Sequence, residues 1–323
     1  MSPLTIRDLL TRKGESLQLD VLAGEAGLDH NVATSEVSSP GLVFSGFTER
    51  FTAKRMYALG ETEIAYLKSL SAKRRREALD LFMSYSLPCV FITKGQSPPR
   101  ELVKLANERE IPLIRSKLKT AEFYRRISPY LMEVFAPTTT MHASMADVYG
   151  VGLLFTGRSG IGKSECVLDL VERGHRLVAD DIVHITRRGA DVLIGRSNEL
   201  THRYMEIRGV GLVDVMALFG VRAVRQQKRI EVVVELTEWD QAEDDIERTG
   251  LMTKTTEILG IELPLVAIPL NPGKNLTVII EVVAMNHLLR YSGIDPAQRL
   301  NDRLIQQMAR QAELREYLSE DYE

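Results

Sequence analysis

Gly152 to Gly174 reads GLLFTGRSGIGKSECVLDLVERG, and its punctuation decides the fold. The apolar, β-branched run VGLLFT that enters it predicts a strand. SECVLDLVERG, with apolar residues at helical spacing and Gly174 as a stop, predicts a helix. Between them Gly157, Arg158, Ser159, Gly160, Ile161, Gly162, Lys163 and Ser164 satisfy G-x-x-x-x-G-K-[ST] without a departure. Each residue type has a physical task. The glycines let backbone N–H groups curl round an anion, and the helix N-terminus adds the positive end of its dipole. The lysine reaches the β and γ phosphates, and the Ser164 hydroxyl suits Mg²⁺. A nucleoside triphosphate is the expected ligand.

The flanking sequence narrows the chemistry. Neither N-K-x-D, which reads guanine in switch GTPases, nor L-S-G-G-Q of transport ATPases occurs, which weakens both readings beside that of a phosphotransferase. One helix beyond the loop, LVADDIVHIT reads as a strand carrying Asp180 and Asp181. Side chains alternate along a strand, so one of the two faces the phosphates, as a metal ligand or as general base to a hydroxyl. The block Met205, Glu206, Ile207, Arg208, Gly209, Val210, Gly211, Leu212, Val213 and Asp214 sets Glu206 and Arg208 one alternation apart before a Gly-x-Gly turn into a short helix. Such a pair serves as a second metal ligand and a phosphate contact, or equally as a surface salt bridge. His142, Arg248 and the turn Pro269, Leu270, Asn271, Pro272, Gly273 and Lys274 complete the candidates, each indecisive alone. His175, His184, His202 and His287 have no ligand spacing and read as structural or solvated.

Further out, RIEVVVEL and LTVIIEVVAM read as strands, DVLIG as the second arm of a hairpin over Arg187 to Ala190, and Pro296 to about Leu318 as a long helix capped by Asp295. That helix sets Leu300, Leu304 and Met308 on one face. It packs on its own domain, or docks a neighbouring subunit or a partner. The first part of the chain mixes patterns: one or two helices over Glu61 to Phe82, a strand Cys89 to Gly95, a helix from Pro98 and a strand at IPLI. Pro129 and the run APTTTMH place a boundary near residue 130, giving a small α/β domain over 1–130 and a phosphate-loop domain over 131–323.

Composition agrees with two soluble α/β domains: 323 residues, 44% hydrophobic and 26% charged. A net charge of -3 disfavours general nucleic-acid or anionic-membrane binding, and Lys73 to Arg76 (KRRR) reads as a solvated helix face. No stretch approaches the ~18 apolar residues of a membrane span, and MSPLTIRDLLTRKGESLQLD lacks the apolar core of a secretion signal, so a cytoplasmic location is expected. Cys89 and Cys166 lack zinc or redox spacing and read as small buried hydrophobes.

GRSGIGKSE, HRLVADDIV, MEIRGVGLVDV and PLNPGKN, in this order and at these separations, resemble the bifunctional HPr kinase/phosphorylase family of bacteria. The loop, the Asp-Asp strand and the antiparallel content also resemble the nucleotide-binding core of phosphoenolpyruvate carboxykinase. The family resemblance implies an enzyme that phosphorylates a serine of the phosphocarrier protein HPr with ATP and Mg²⁺. It also implies removal of that phosphate by phosphorolysis, with inorganic phosphate as acceptor and pyrophosphate as product, in a homohexamer. It implies that Gly157 to Ser164 bind ATP, that Ser164 and Glu206 ligate Mg²⁺, and that His142, Lys163, Asp181 and Arg248 are catalytic, with Asp181 as the base. The segments Met205 to Asp214 and Pro269 to Lys274 match the blocks used in catalysis. The family commonly carries a cation where Asn271 stands, so the dephosphorylating direction is expected to be the less secure, with Lys274 as the compensating charge. A small-molecule kinase and a nucleotide-sensing regulator are the alternatives that the bare residues leave open.

Overall fold

The computed structural model describes residues 4–198, 200–238, 254–270 and 275–320, with side chains as far as residue 312. Packing divides the chain into Met1–Ala136 and Pro137–Glu323. The division falls after residue 130 because Pro129 does not end its segment: it lies inside the helix Thr120–Val134.

The first unit is built on a five-stranded sheet in the order Leu19–Ala23, Leu113–Ser116, Val90–Ile92, Met56–Leu59, Val37–Ser38. The last four run parallel, and Leu19–Ala23 pairs antiparallel at the edge. The segment expected as one or two helices forms two, Glu61–Ser69 and Ala72–Met83. Of the KRRR run, Arg75 is held 2.7 Å from Glu101, Arg76 lies 3.8 Å from Asp80, and Lys73 and Arg74 are exposed on the first turn of the second helix. Cys89 and Cys166 are both buried, and burial pushes the Cys166 thiol up to about 12, so neither is a ready thiolate at neutral pH.

The second unit rests on a six-stranded sheet in the order Lys254–Ile258, Ile261–Leu270, Val232–Glu238, Val151–Thr156, Ser144–Val148, Arg176–Ala179. Val232–Glu238 is parallel to both Ile261–Leu270 and Val151–Thr156, and the remaining pairs are antiparallel. A four-stranded antiparallel sheet, Gln227–Arg229, Val192–Arg196, Ile182–Arg188, Thr138–His142, adjoins it. Its hairpin turns at Gly189, as the Arg187 to Ala190 link predicts. The loop helix Lys163–Glu172 buries Cys166, Val167, Leu170 and Val171 against the large sheet, each such residue contributing about 1.5–3 kcal/mol. Phosphate-loop geometry therefore rides on a well-anchored element.

One expectation fails here for a physical reason. The run LTVIIEVVAM is no strand: Leu276–Tyr291 is a helix, and the Asn275 side chain caps it by accepting from the Val278 amide at 3.3 Å. Apolar at every position but Thr277 and Glu281, the run carries no periodicity to separate strand from helix. The long terminal helix Pro296–Glu320 forms as expected, with Asp295 accepting from the Ala297 and Gln298 amides. Its face of Leu300, Leu304 and Met308 is exposed, so it is not packed on its own domain.

Glu281 sits on the buried side of Leu276–Tyr291 and explains a charge inside an apolar run. Its carboxylate accepts from Arg173 Nε at 3.0 Å and Nη2 at 2.7 Å, and meets His175 Nε2 at 3.0 Å. His175 is thereby structural, as its isolation in the sequence suggests. Arg173 first, and His175 with it, hold the Glu281 carboxyl down at about 2. A depressed carboxyl stabilises the fold fully above its unfolded value, 4.5, and loses that contribution as pH falls towards about 2. Glu281→Gln is expected to cost about 2 kcal/mol at pH 7, below the cost of breaking a fully buried pair because Arg173 is half-exposed. In urea unfolding the gap from the unsubstituted protein should narrow as pH drops from 4.5 to 2.5, and a pH-independent gap would refute the assignment.

Candidate active site

The phosphate loop leaves the strand Val151–Thr156 at Gly157, whose φ of 134° no side chain tolerates well. A Cβ there would stand 2.5 Å from the Leu236 carbonyl oxygen, so backbone conformation and close approach both demand glycine. The loop returns at Gly162, φ 104°, into the helix that begins at Lys163. Lys163 is 7% exposed, and its Nζ donates to the carbonyls of Gly157 and Arg158 at 3.0 and 3.1 Å. The ammonium is thus held over the concave side of the loop. Arg158 pairs with Glu238 at 2.6 Å. Ser159, Gly160 and Ile161 form the turn, with the Ile161 amide donating to the Arg158 carbonyl.

Asp180 and Asp181 do not lie on one continuous strand. The chain breaks between Arg176–Ala179 and Ile182–Arg188, the Ile182 amide donates back to the Asp180 carbonyl at 2.7 Å, and Asp181 takes φ 64°. Strand alternation therefore does not set where the two carboxylates point; the break does. Asp180 turns inward. Its Oδ1 accepts from Ser164 Oγ at 2.9 Å and from the fully buried Ser144 Oγ at 2.7 Å. The backbone amides of Glu206 and Asp181 also donate to it, yet burial outweighs all four donors and pushes its carboxyl above the ordinary range.

Asp181 turns outward. Its side chain is 64% exposed, and its Oδ1 lies 3.2 Å from Nδ1 of His142, itself 58% exposed on the neighbouring strand Thr138–His142. A left-handed conformation at a residue with a side chain is a local cost of the kind that persists only where the surroundings impose it. Here the Asp181 carbonyl accepts from the Ala143 amide at 3.1 Å, which pins it.

The Met205 block forms a hairpin, Tyr204–Ile207 against Gly211–Asp214, and then the short helix Val215–Phe219 capped by Asp214. Met205, Ile207 and Val213 face the core, while Glu206, Val210 and Leu212 are exposed. Gly209 lies in the hairpin turn. Arg208 follows the strand and not its alternation, and its Nη2 stands 2.8 Å from the position a Cβ on Gly160 would take. That guanidinium belongs to the rim of the phosphate loop. Glu206 reaches Asp180 by its backbone amide, so the carboxylate that touches Ser164 is Asp180. Among the described residues no group of three or more His, Cys, Asp or Glu side chains is placed to hold a metal ion. Pro269 and Leu270 end the strand Ile261–Leu270; Arg248, Asn271, Pro272, Gly273 and Lys274 lie outside the described residues.

The site thus gathers loop, lysine, serine, both aspartates, His142 and Arg208 in one unit. Ser144 escapes sequence reading altogether, being a lone serine at the start of the buried strand Ser144–Val148 with no motif around it.

Among the described residues no helix is long and apolar enough to cross a membrane. The chain matches the family described as HPr Serine kinase N terminus over residues 4–131 and HPr Serine kinase C-terminal domain over residues 133–304. It is 46% identical over 295 residues to the HPr kinase/phosphorylase of Chloroherpeton thalassium, covering 89% of this chain and 86% of that protein. To that of Halalkalibacterium halodurans it is 43% identical over 304 residues, covering 94% and 96%. The Geobacter sulfurreducens HPr kinase/phosphorylase is 42% identical over 305 residues, with 94% and 95% covered. With both family regions matched in order along nearly its whole length, this chain belongs to the HPr serine kinase family.

Proposed function

We propose that this chain phosphorylates a serine of the phosphocarrier protein HPr with ATP, and removes that phosphate by phosphorolysis with release of pyrophosphate. One observation carries the reading: an exposed carboxylate, Asp181, stands beside a phosphate loop whose lysine and serine are already in place, within a chain 42–46% identical to HPr kinase/phosphorylases over its length. Parallel strands about the loop also support the expected likeness to the phosphoenolpyruvate carboxykinase core. A cytoplasmic site of action belongs to the same reading.

The chain's own groups suffice to describe the transfer. Lys163 gives up the Gly157 and Arg158 carbonyls for β and γ phosphate oxygens, and the loop amides and Arg208 share the equatorial charge. Asp181 accepts the serine proton as the hydroxyl oxygen bonds to the γ phosphorus and the bond to the β–γ bridging oxygen breaks. In the reverse direction protonated Asp181 returns the proton to the departing serine oxygen while a phosphate oxygen attacks the phosphorus. His142, 3.2 Å from Asp181, orients the carboxylate. The hydroxyl of Ser164 and the carboxylate of Asp180 form an oxygen pair that fits Mg²⁺, with Glu206 joined to it through its backbone. When bound, that ion supplies neutralisation of phosphate charge. The exposed face of Leu300, Leu304 and Met308 supports contact with a neighbouring subunit, as in the expected hexamer.

γ-Labelled ATP with purified HPr, followed by excess inorganic phosphate, tests the reading. Label should appear on a serine and then leave as pyrophosphate. Label that appears only on free metabolites, or only as phosphate, would replace it with a small-molecule kinase or an ATPase.

Ser144 acts as a positioning residue through Asp180. Ser144→Ala is expected to lower kcat about tenfold with KM for HPr unchanged, the loss of one hydrogen bond to a charged group. A fall in stability without that kcat effect would make the serine merely structural.

A further inference from the structure

From Val215 to Val221 the chain reads VMALFGV, without a charge, yet most of it stands in water. Met216, Leu218, Phe219 and Val221 are 38%, 68%, 40% and 70% exposed. Their flanks are fixed. Val215 is fully buried and Ala223 is 6% exposed, both in the core of the second unit. The Asp214 side chain caps the short helix Val215–Phe219 by accepting from the Ala217 amide at 3.0 Å, and Arg203 Nε lies 3.3 Å from its other oxygen. These apolar side chains therefore sit on a pinned knob and not on a loose loop. Single exposed apolar residues are ordinary on any protein, whereas four on one short, anchored segment mark a contact surface.

This knob grows out of the hairpin that borders the phosphate loop. Its cap, Asp214, pairs with Tyr204 at the hairpin base, and Leu212 pairs with Glu206 two residues nearer the turn. Leu212 is 72% exposed on the same face as Glu206, and Val210 in the turn is 74% exposed. The Glu206 amide donates to Asp180, and Arg208 leans over Gly160. An apolar strip thus runs from the rim of the loop to the knob, over roughly 10 Å of strand. A folded domain of about 100 residues is roughly 25 Å across, so one that brings a serine to Asp181 is wide enough to reach the whole strip.

Resting on the HPr reading above, we propose that this strip, Val210 and Leu212 leading to the knob at Met216 to Val221, is the docking surface for the protein substrate. The substrate meets it with an apolar patch beside its target serine. A small-molecule hydroxyl gains nothing from apolar side chains this far from the loop. A second copy of this chain seated there permanently would cover Glu206 and the mouth of the loop, whereas a substrate protein leaves after each turnover. Because the knob is held by Val215 and Ala223, it is already in place before the substrate arrives and little ordering is needed on contact.

Steady-state phosphorylation of HPr by the full chain carrying Leu218→Gln and Val221→Gln together tests the surface, with sedimentation velocity on the same protein. KM for HPr should rise at least about tenfold, while kcat at saturating HPr, KM for ATP and the sedimentation coefficient stay unchanged. Leu218→Gln alone should give about a threefold rise, which keeps the test open if the double substitution lowers the melting temperature. An unchanged KM for HPr, or a rise that accompanies dissociation of an assembly, would overturn the inference and leave the transfer reaction standing. HPr left unlabelled by the unsubstituted chain would instead remove the reading on which the inference rests.

Discussion

Asp181→Asn should lower kcat by about 10³-fold in both directions, within the 10²–10⁴ contributed by a positioned base, while nucleotide affinity stays within about twofold. A thousandfold loss is about 4 kcal/mol of barrier. The amide keeps the size of the side chain and its contact distance to His142, but it cannot take the serine proton in one direction nor deliver one in the other. Because one carboxyl serves both reactions, the two losses should match. Asp180 makes a poor substitute: it is buried and committed to Ser144 and Ser164. Rapid-quench measurement of phosphorylation and phosphorolysis, with nucleotide binding followed separately, checks this. Retained turnover in either direction would remove Asp181 from the chemistry.

Lys163→Ala should abolish both activities, by at least about 10²–10³-fold, and weaken nucleotide binding as well. Lys163 places the one buried ammonium of the loop against the Gly157 and Arg158 carbonyls, the positions from which it reaches phosphate. Removing it strips charge from ground state and transition state together, so KM for ATP rises as kcat falls, unlike Asp181→Asn. Fluorescent-nucleotide titration separates the two variants. Unweakened binding in Lys163→Ala would mean that the loop amides alone hold the phosphates.

The contrast between the two variants mirrors what was legible beforehand. Every residue of the phosphate loop is legible from its motif, because the anion cradle is made by eight consecutive residues whose glycine, lysine and serine types are dictated locally. Asp180 and Asp181 stand as an undivided pair in the bare residues, and only the family resemblance singles out Asp181 as the base. Side-chain alternation requires a continuous strand, and the chain instead breaks between Ala179 and Ile182 with Asp181 at a positive φ. Arg208 was named beside Glu206 as a face-sharing pair. It lies past the strand end and leans over Gly160, while Glu206 contributes a backbone amide. Ser144 left no trace, since a lone serine gains meaning only from the carboxylate opposite it.

Further from the site the same limit recurs. The apolar run from Leu276 reads as a strand and folds as a helix, because an apolar run of that length fits either element until the sheet it lies against is known, and the cation facing Glu281 comes from Arg173 on another helix end.

The phosphate loop, the helix that carries it and the two-part α/β organisation are written in local sequence, because they follow from short-range backbone preferences and from residue types in fixed succession. The burial of Asp180 on Ser144 and Ser164, and the opening of Asp181 to solvent beside His142, arise from packing between distant segments. Exposure and partnership are properties of the elements packed around a side chain, and those elements come from positions far along the chain.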